Sequence, residues 1–143
     1  MVLELAKQRS AANHFLAELR DAQVQQDQMR FRRNLERVGE ALGLEMSRTL
    51  EYEEREVTTP LGIARLDLLK EQPVLATILR AGLPLHQGLL NYFDRADNAF
   101  ISAYRKHRKG EEGFDIEVEY LSSPRLDDRV LVICDPMLAT GQS

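Results

Sequence analysis

Val130-Leu131-Val132-Ile133-Cys134-Asp135-Pro136-Met137-Leu138-Ala139-Thr140-Gly141-Gln142-Ser143 is the stretch whose reading decides the fold. Five apolar residues predict a buried strand that delivers an acid, Asp135, to a loop of small residues. A helix is expected to start near Ser143. This is the layout of an α/β protein whose ligand sits beyond the carboxyl ends of the strands. It suits a sugar phosphate: Asp135 can accept hydrogen bonds from a vicinal diol, and backbone N–H groups and hydroxyls over 139–143 can wrap a phosphate. The loop has no Gly-Lys-Ser/Thr ending, so it is not a Walker loop, and it is not a dinucleotide fingerprint.

Working outward, Val74-Leu75-Ala76-Thr77-Ile78-Leu79 is a second continuous apolar run, the kind buried on both faces of a parallel sheet. Pro84 suits the first turn of a helix, and Leu85, Leu89, Leu90 and Phe93 give that helix an apolar side. Phe100 to Tyr104 predicts the next strand, which completes a right-handed βαβ unit. Tyr104 to Gly113 reads as a polar tongue. Ile116, Val118 and Tyr120 alternate with acids, predicting a half-exposed strand that Pro124 ends. Two strand ends join Asp135 as candidate sites. Arg80-Ala81-Gly82 offers a guanidinium and backbone N–H groups to a phosphate or pyrophosphate. Arg105 directly follows the 100–104 strand and should point to the same side of the sheet as Arg80. Lys106, Arg108 and Lys109 read as solvated loop charges.

The N-terminal half is helical, then extended. Ala11 to Gln28 predicts one helix, and Phe31, Leu35, Val38 and Leu42 form an amphipathic stripe that Gly43 is expected to stop. Arg30, Arg32, Arg33 and Arg37 form a basic patch. It is either a solvated helix face or a contact to a partner subunit or an anionic ligand. From Thr49 to Leu66 the pattern is extended, with Pro60-Leu61-Gly62 as the turn of a hairpin. Glu51, Glu53, Glu54 and Glu56 have no histidines at ligand spacing and read as a solvated edge, not a metal site. His86 reads as a structural polar residue and His107 as a solvated one; neither is given a role.

Composition narrows the class. The chain has one domain's length, with 43% apolar and 29% charged residues, as expected of a globular protein. No run approaches the roughly 20 apolar residues of a membrane span, and Met1 to Ser10 lacks the apolar core of a secretory signal. A single cysteine, Cys134, excludes an internal disulfide, reads as a core residue and fits a cytoplasmic protein. The net charge of −4 argues against a dedicated nucleic-acid binder.

Asp135-Pro136-Met137-Leu138-Ala139-Thr140-Gly141, followed by Ser143, resembles the phosphoribosyl-pyrophosphate loop of uracil phosphoribosyltransferases. Other type I phosphoribosyltransferases usually carry two acids before this loop. Ile78 to Leu83 is similar to that family's pyrophosphate-side turn, Tyr104-Arg105 to its Tyr-Arg pair, and Leu19-Arg20-Asp21 and Phe31-Arg32 to its N-terminal helices. The resemblance runs over most of residues 14–143. It departs at Gln142, where a second glycine is usual. It implies a type I phosphoribosyltransferase-like α/β domain over 1–143. The expected parts are a helical region over 1–45, extended arms over 49–66 and 105–121, and a core over 74–143 with a mostly parallel sheet flanked by helices. The family's C-terminal part, and with it the uracil site, is expected beyond Ser143.

The implied reaction is uracil plus phosphoribosyl pyrophosphate to uridine monophosphate plus diphosphate, with Mg2+ carried on the pyrophosphate. Arg80, Ala81, Gly82 and Arg105 would hold the pyrophosphate. Asp135, the expected catalytic residue, would fix the ribose hydroxyls with Pro136, Met137, Leu138 and Ala139 around it. Thr140, Gly141, Gln142 and Ser143 would hold the 5′-phosphate. A dimer or larger homo-oligomer, and a purine nucleotide effector such as GTP, are further implications. Two other classes stand beside the enzyme: a regulator of the same fold that binds nucleotide and RNA, and a non-catalytic fragment.

Overall fold

The computed structural model describes residues 2–107 and 114–137, with side chains for all of these except 103–107, 114–117 and 119. Three helices, a hairpin and a four-stranded sheet make up the described chain. In order they are α1 (Ala12–Arg20), α2 (Gln28–Ser47), β1 (Tyr52–Thr59), β2 (Gly62–Leu69), β3 (Val74–Leu79), α3 (Leu83–Tyr92), β4 (Asp97–His107), β5 (Phe114–Ser122) and β6 (Leu131–Cys134). The sheet runs β5-β4-β3-β6. β3 is parallel to both β4 and β6, and only β5 is antiparallel. The strand at 74–79 and the βαβ unit of β3, α3 and β4 are as the apolar runs predict.

The core lies between the sheet and the helices. Leu75 and Cys134 point from the sheet into a cluster with Val38 of α2, and with Leu85, Leu89 and Phe93 at α3. Val74, Ala76 and Ala99 form a second cluster, consistent with the period-2 alternation of β3. Cys134 is 1% exposed, and burial pushes its thiol up to about 11, so it is an unreactive core residue.

Glycine sets the distance between α2 and α3. An added Cβ at Gly39 would stand 2.5 Å from the carbonyl oxygen of Leu85, and one at Gly43 would stand 2.9 Å from the Tyr92 side chain. Gly43 is therefore a packing residue inside α2, not the expected stop, and the helix continues to Ser47. The predicted helix over 11–28 is also corrected. It ends at Arg20 because Asp21 turns the chain, its carboxylate accepting the N–H groups of Gln23 and Val24 at 2.8 and 2.9 Å. Asp27 then caps α2 by accepting from Met29 and Arg30.

β6 differs from the fully buried strand expected over 130–134. Its burial alternates, with Val132 and Cys134 inward and Leu131 and Ile133 40% and 59% exposed. It is an edge strand in the described sheet, and only one of its faces meets the helical layer. The hairpin forms as predicted, but its turn is the two residues Pro60-Leu61, because Gly62, at φ 136°, already pairs with Thr59. Among the described residues β1 and β2 pair only with each other. The root is tied down by Tyr52 Oη donating to Ser47 O and by Leu50 and Leu69 against the core, whereas Leu61 and Ile63 at the tip are exposed. The glutamates are solvated, with Glu51 on Lys70 and Glu56 on Arg65.

His86 on α3 is 5% exposed, 5.6 Å from the Phe100 ring, and burial holds it below the usual 6.5. The unfolded chain therefore takes up a proton as pH falls through 6.5, while the folded chain does so only at lower pH. Stability should be full above pH 6.5 and decline below it. His86→Phe should flatten the melting temperature between pH 7.5 and 5.5. An unchanged slope in that variant would remove His86 as the cause.

Candidate active site

The sheet order creates the site. From β3 the chain crosses to β4 on one side, and it later returns to lay β6 on the other side of β3. A crevice opens at such a switch point, beyond the carboxyl ends of the strands. Arg80 directly follows β3, and Asp135 directly follows β6, which is paired with β3 from Val74↔Leu131 to Thr77↔Cys134. The two residues are 55 apart in sequence (135 − 80) and lie at neighbouring strand ends.

Gly82 makes this closeness possible. An added Cβ there would stand 2.7 Å from the Cys134 carbonyl oxygen and 2.9 Å from that of Ile78, and would overlap the Thr77 hydroxyl. The turn after β3 is thus pressed against the end of β6, with the Leu79–Arg80 peptide cis. Gly82 N–H donates to Ile78 O at 3.1 Å. That donor, expected to face a phosphate, is engaged inside the turn. Ala81 N–H has no backbone acceptor among the described residues. Asp135 is half-buried and accepts Met137 N–H on Oδ1 at 3.0 Å, which bends the chain into the small-residue loop. Its other oxygen has no such bond among the described residues.

Arg80, Ala81, Asp135, Pro136 and Met137 line one cavity of about 750 Å3. The rest of its lining comes largely from α1 and α2 and the turn between them, and includes Arg20, Gln25 and Arg32. Reading the loop alone missed this lining. Its signal was Leu19-Arg20-Asp21 and Phe31-Arg32, apolar residues that anchor the helices next to cations.

The strand that carries Arg105 is longer than expected. β4 does not end at 104 but runs to His107, and Arg105 is paired with Ile116 inside a β4–β5 ribbon. β3 pairs with β4 only as far as Leu79↔Ser102, so Arg105 lies on the part of β4 that extends past the end of β3. Lys106 and His107 share this ribbon. Arg108 and Lys109 of the tongue, and Leu138, Ala139, Thr140, Gly141, Gln142 and Ser143 of the loop, lie outside the described residues.

The basic patch of α2 separates into paired and unpaired members. Arg30 binds Glu18, Arg33 binds Glu36, and Arg37 donates to Asn34 while its guanidinium sits 5.0 Å over the Phe15 ring. A continuous basic surface of the kind an RNA backbone needs is therefore not formed by these residues. Among the described residues no three His, Cys, Asp or Glu side chains cluster as a metal site. Asp135 as a lone carboxylate fits Mg2+ that arrives on a substrate's phosphate oxygens and keeps much of its water. No described helix is long and apolar enough to cross a membrane.

The family model for uracil phosphoribosyltransferase matches residues 6–143. A uracil phosphoribosyltransferase of Porphyromonas gingivalis is 54% identical over 142 residues, which cover 99% of this chain and 65% of that protein. One of Methanothermobacter thermautotrophicus is 40% identical over 119 residues, covering 82% of this chain and 54% of its own length. The solved structure of the AQ2163 protein from Aquifex aeolicus superimposes with a TM-score of 0.81 at 30% identity, over 99% of this chain and 65% of that one. The chain thus spans about two thirds or less of these relatives.

Proposed function

Because the chain belongs to the uracil phosphoribosyltransferase family, we propose that the whole protein transfers a phosphoribosyl group from phosphoribosyl pyrophosphate to uracil, as a pyrimidine-salvage enzyme of the cytoplasm. The observation that carries this reading is the meeting of Arg80 and Asp135 at the switch point between β3 and β6, on one cavity.

In the proposed reaction N1 of uracil bonds to C1 of the ribose, the C1–O bond to pyrophosphate breaks, and the N1 proton is released. C1 gains positive character as the leaving group departs. Catalysis then rests on holding the two reactants in line and stabilising charge on the pyrophosphate. Arg80 supplies a guanidinium to that charge, and Ala81 an N–H without a backbone acceptor among the described residues. Asp135, held by Met137 N–H, orients the ribose diol with its remaining oxygen. Residues 138–143 would receive the 5′-phosphate, and Arg105 would be a further cation for the pyrophosphate. Mg2+ bound to the donor would neutralise part of the pyrophosphate charge. No residue of 1–143 is assigned to uracil.

The hairpin supports a homo-oligomer. It is rooted in the core but exposes Leu61, Ile63 and Leu66 along a strand pair with no other described partner. Such a surface suits a second copy of the chain. A purine nucleotide effector such as GTP belongs to the same reading, without an assigned site.

The test is direct. Full-length protein with labelled uracil, phosphoribosyl pyrophosphate and Mg2+ should give uridine monophosphate and pyrophosphate in equal amounts. Turnover of another base, with uracil left untouched, would overturn the substrate. No product from any base would overturn the enzyme.

A further inference from the structure

Arg20 and Arg32 stand apart from the other arginines of the N-terminal helices. Arg30 and Arg33 each hold a carboxylate, and Arg37 is held by Asn34 and Phe15. Arg20 and Arg32 have no ion-pair partner among the described residues, and these two face the cavity that Arg80 and Asp135 line. Arg20 lies in the last turn of α1, where the helix dipole favours a cation. Arg32 has no such explanation: it sits one turn into α2, near the end where the dipole disfavours positive charge. The described lining carries three arginines, Arg20, Arg32 and Arg80, against one carboxylate, Asp135. The whole chain is at −4, so positive charge is concentrated where a ligand could enter. Most of the remaining lining is apolar, Leu16, Leu19, Phe31, Leu35, Val38 and Leu42 among it, and cations set in low-dielectric walls focus their field on an entering anion.

We propose that Arg20 and Arg32 form a second cationic part of the donor site and bind the pyrophosphate of the phosphoribosyl donor together with Arg80. The proposal rests on the donor chemistry given above, but not on the identity of the base. Guanidinium groups from two helices and from the end of a strand would then share the leaving group. Forked donors of this type pair bidentately with phosphate oxygens. It also gives α1 and α2, which carry no other chemistry, a part in the site.

Arg20→Gln, Arg32→Gln and the double variant are the test in the full-length protein, with Arg32→Lys as the conservative control. Two readouts are needed: KM for each substrate, and binding of pyrophosphate with Mg2+ by calorimetry, which needs no turnover. Arg32→Gln should raise KM for the donor roughly tenfold and weaken pyrophosphate binding to match. KM for uracil should not move, and Arg32→Lys should recover part of the loss. The double variant should lose more, and the dependence of donor binding on salt should become shallower. Wild-type pyrophosphate affinity and wild-type donor KM in the double variant would overturn the proposal. Loss of pyrophosphate binding in a protein that ignores uracil would uphold it while rejecting uracil as the acceptor.

Discussion

Arg80→Ala and Asp135→Asn should each lower kcat/KM for the phosphoribosyl donor by roughly 100-fold or more, with the fold intact. The size follows from removing one preorganised partner from a site where charge develops. The retained fold follows from local geometry. Arg80 is exposed and its side chain makes no hydrogen bond among the described residues, so truncation leaves no orphaned partner. Asn at 135 keeps a carbonyl oxygen for Met137 N–H, so the start of the loop survives while the charge is lost. The two losses should differ in kind. In the proposed reaction Arg80 would act on a leaving group whose charge grows in the transition state, so its removal should appear mainly in kcat. Asp135 would orient hydroxyls that are present throughout, so part of its loss should appear in KM. Steady-state kinetics with matched melting curves provide the check. Wild-type turnover in both variants would show that the site lies elsewhere.

The candidate site was legible where chemistry and secondary structure coincide along the chain. The apolar run 74–79 could only be a buried strand, and its abrupt end in Arg80-Ala81-Gly82 placed a cation at a strand terminus. The acid after 130–134 was readable in the same way. What local reading did not reveal is which termini meet. That depends on β6 returning beside β3 rather than beyond β5, which is fixed by long-range pairing. The end of β4 was misread for a related reason. A polar, charged segment resembles a loop, yet the backbone of β4 continues to His107 because β5 folds back to pair with it. Cross-strand pairing overrides local polarity.

Helix boundaries failed at short side chains with two possible meanings. Asp21 and Asp27 lie in a segment of good helix formers, and counting apolar residues passes over them. Their carboxylates compete for backbone N–H groups and split the segment into α1 and α2. That split aims Arg20 and Arg32 at one cavity. Gly43 failed the other way. A glycine after an apolar stripe reads as a stop, but here it clears space for Tyr92. Only the neighbouring element tells these uses apart. Arg129, which crosslinks the start of β4 through Asp97 at 2.5 Å and the approach to β3 through the Gln72 carbonyl at 3.1 Å, was equally invisible.

Gly88→Ala should destabilise the protein by about 3 kcal/mol, against the usual effect of that substitution. In an exposed helix, exchanging glycine for alanine gains about 1 kcal/mol of helix propensity. At Gly88 an added methyl would overlap the carbonyl oxygen of Glu36, with that carbonyl's carbon at 2.8 Å and Gly39 Cα at 2.9 Å. The obstructing atoms are backbone, so no rotamer change relieves the contact. α3 must move away from α2, which loosens Leu85 and Leu89 in the core and shifts the wall that carries Arg32. Overpacking typically costs 1–3 kcal/mol, and a backbone obstacle lies at or beyond the upper end, so sterics outweigh propensity. Melting temperature should drop by roughly 10 °C for a domain of this size. Gly62→Ala separates this from a general glycine effect. Nothing lies within 4 Å of a Cβ there, and its penalty comes only from φ 136° in the hairpin turn, roughly 1 kcal/mol and without movement of the site. Gly88→Ala should also lower activity through the displaced helix, whereas Gly62→Ala should not change turnover per folded molecule. A Gly88→Ala variant as stable as the wild type would mean that α2 and α3 do not pack backbone to backbone, and the helical wall of the cavity would have to be redrawn.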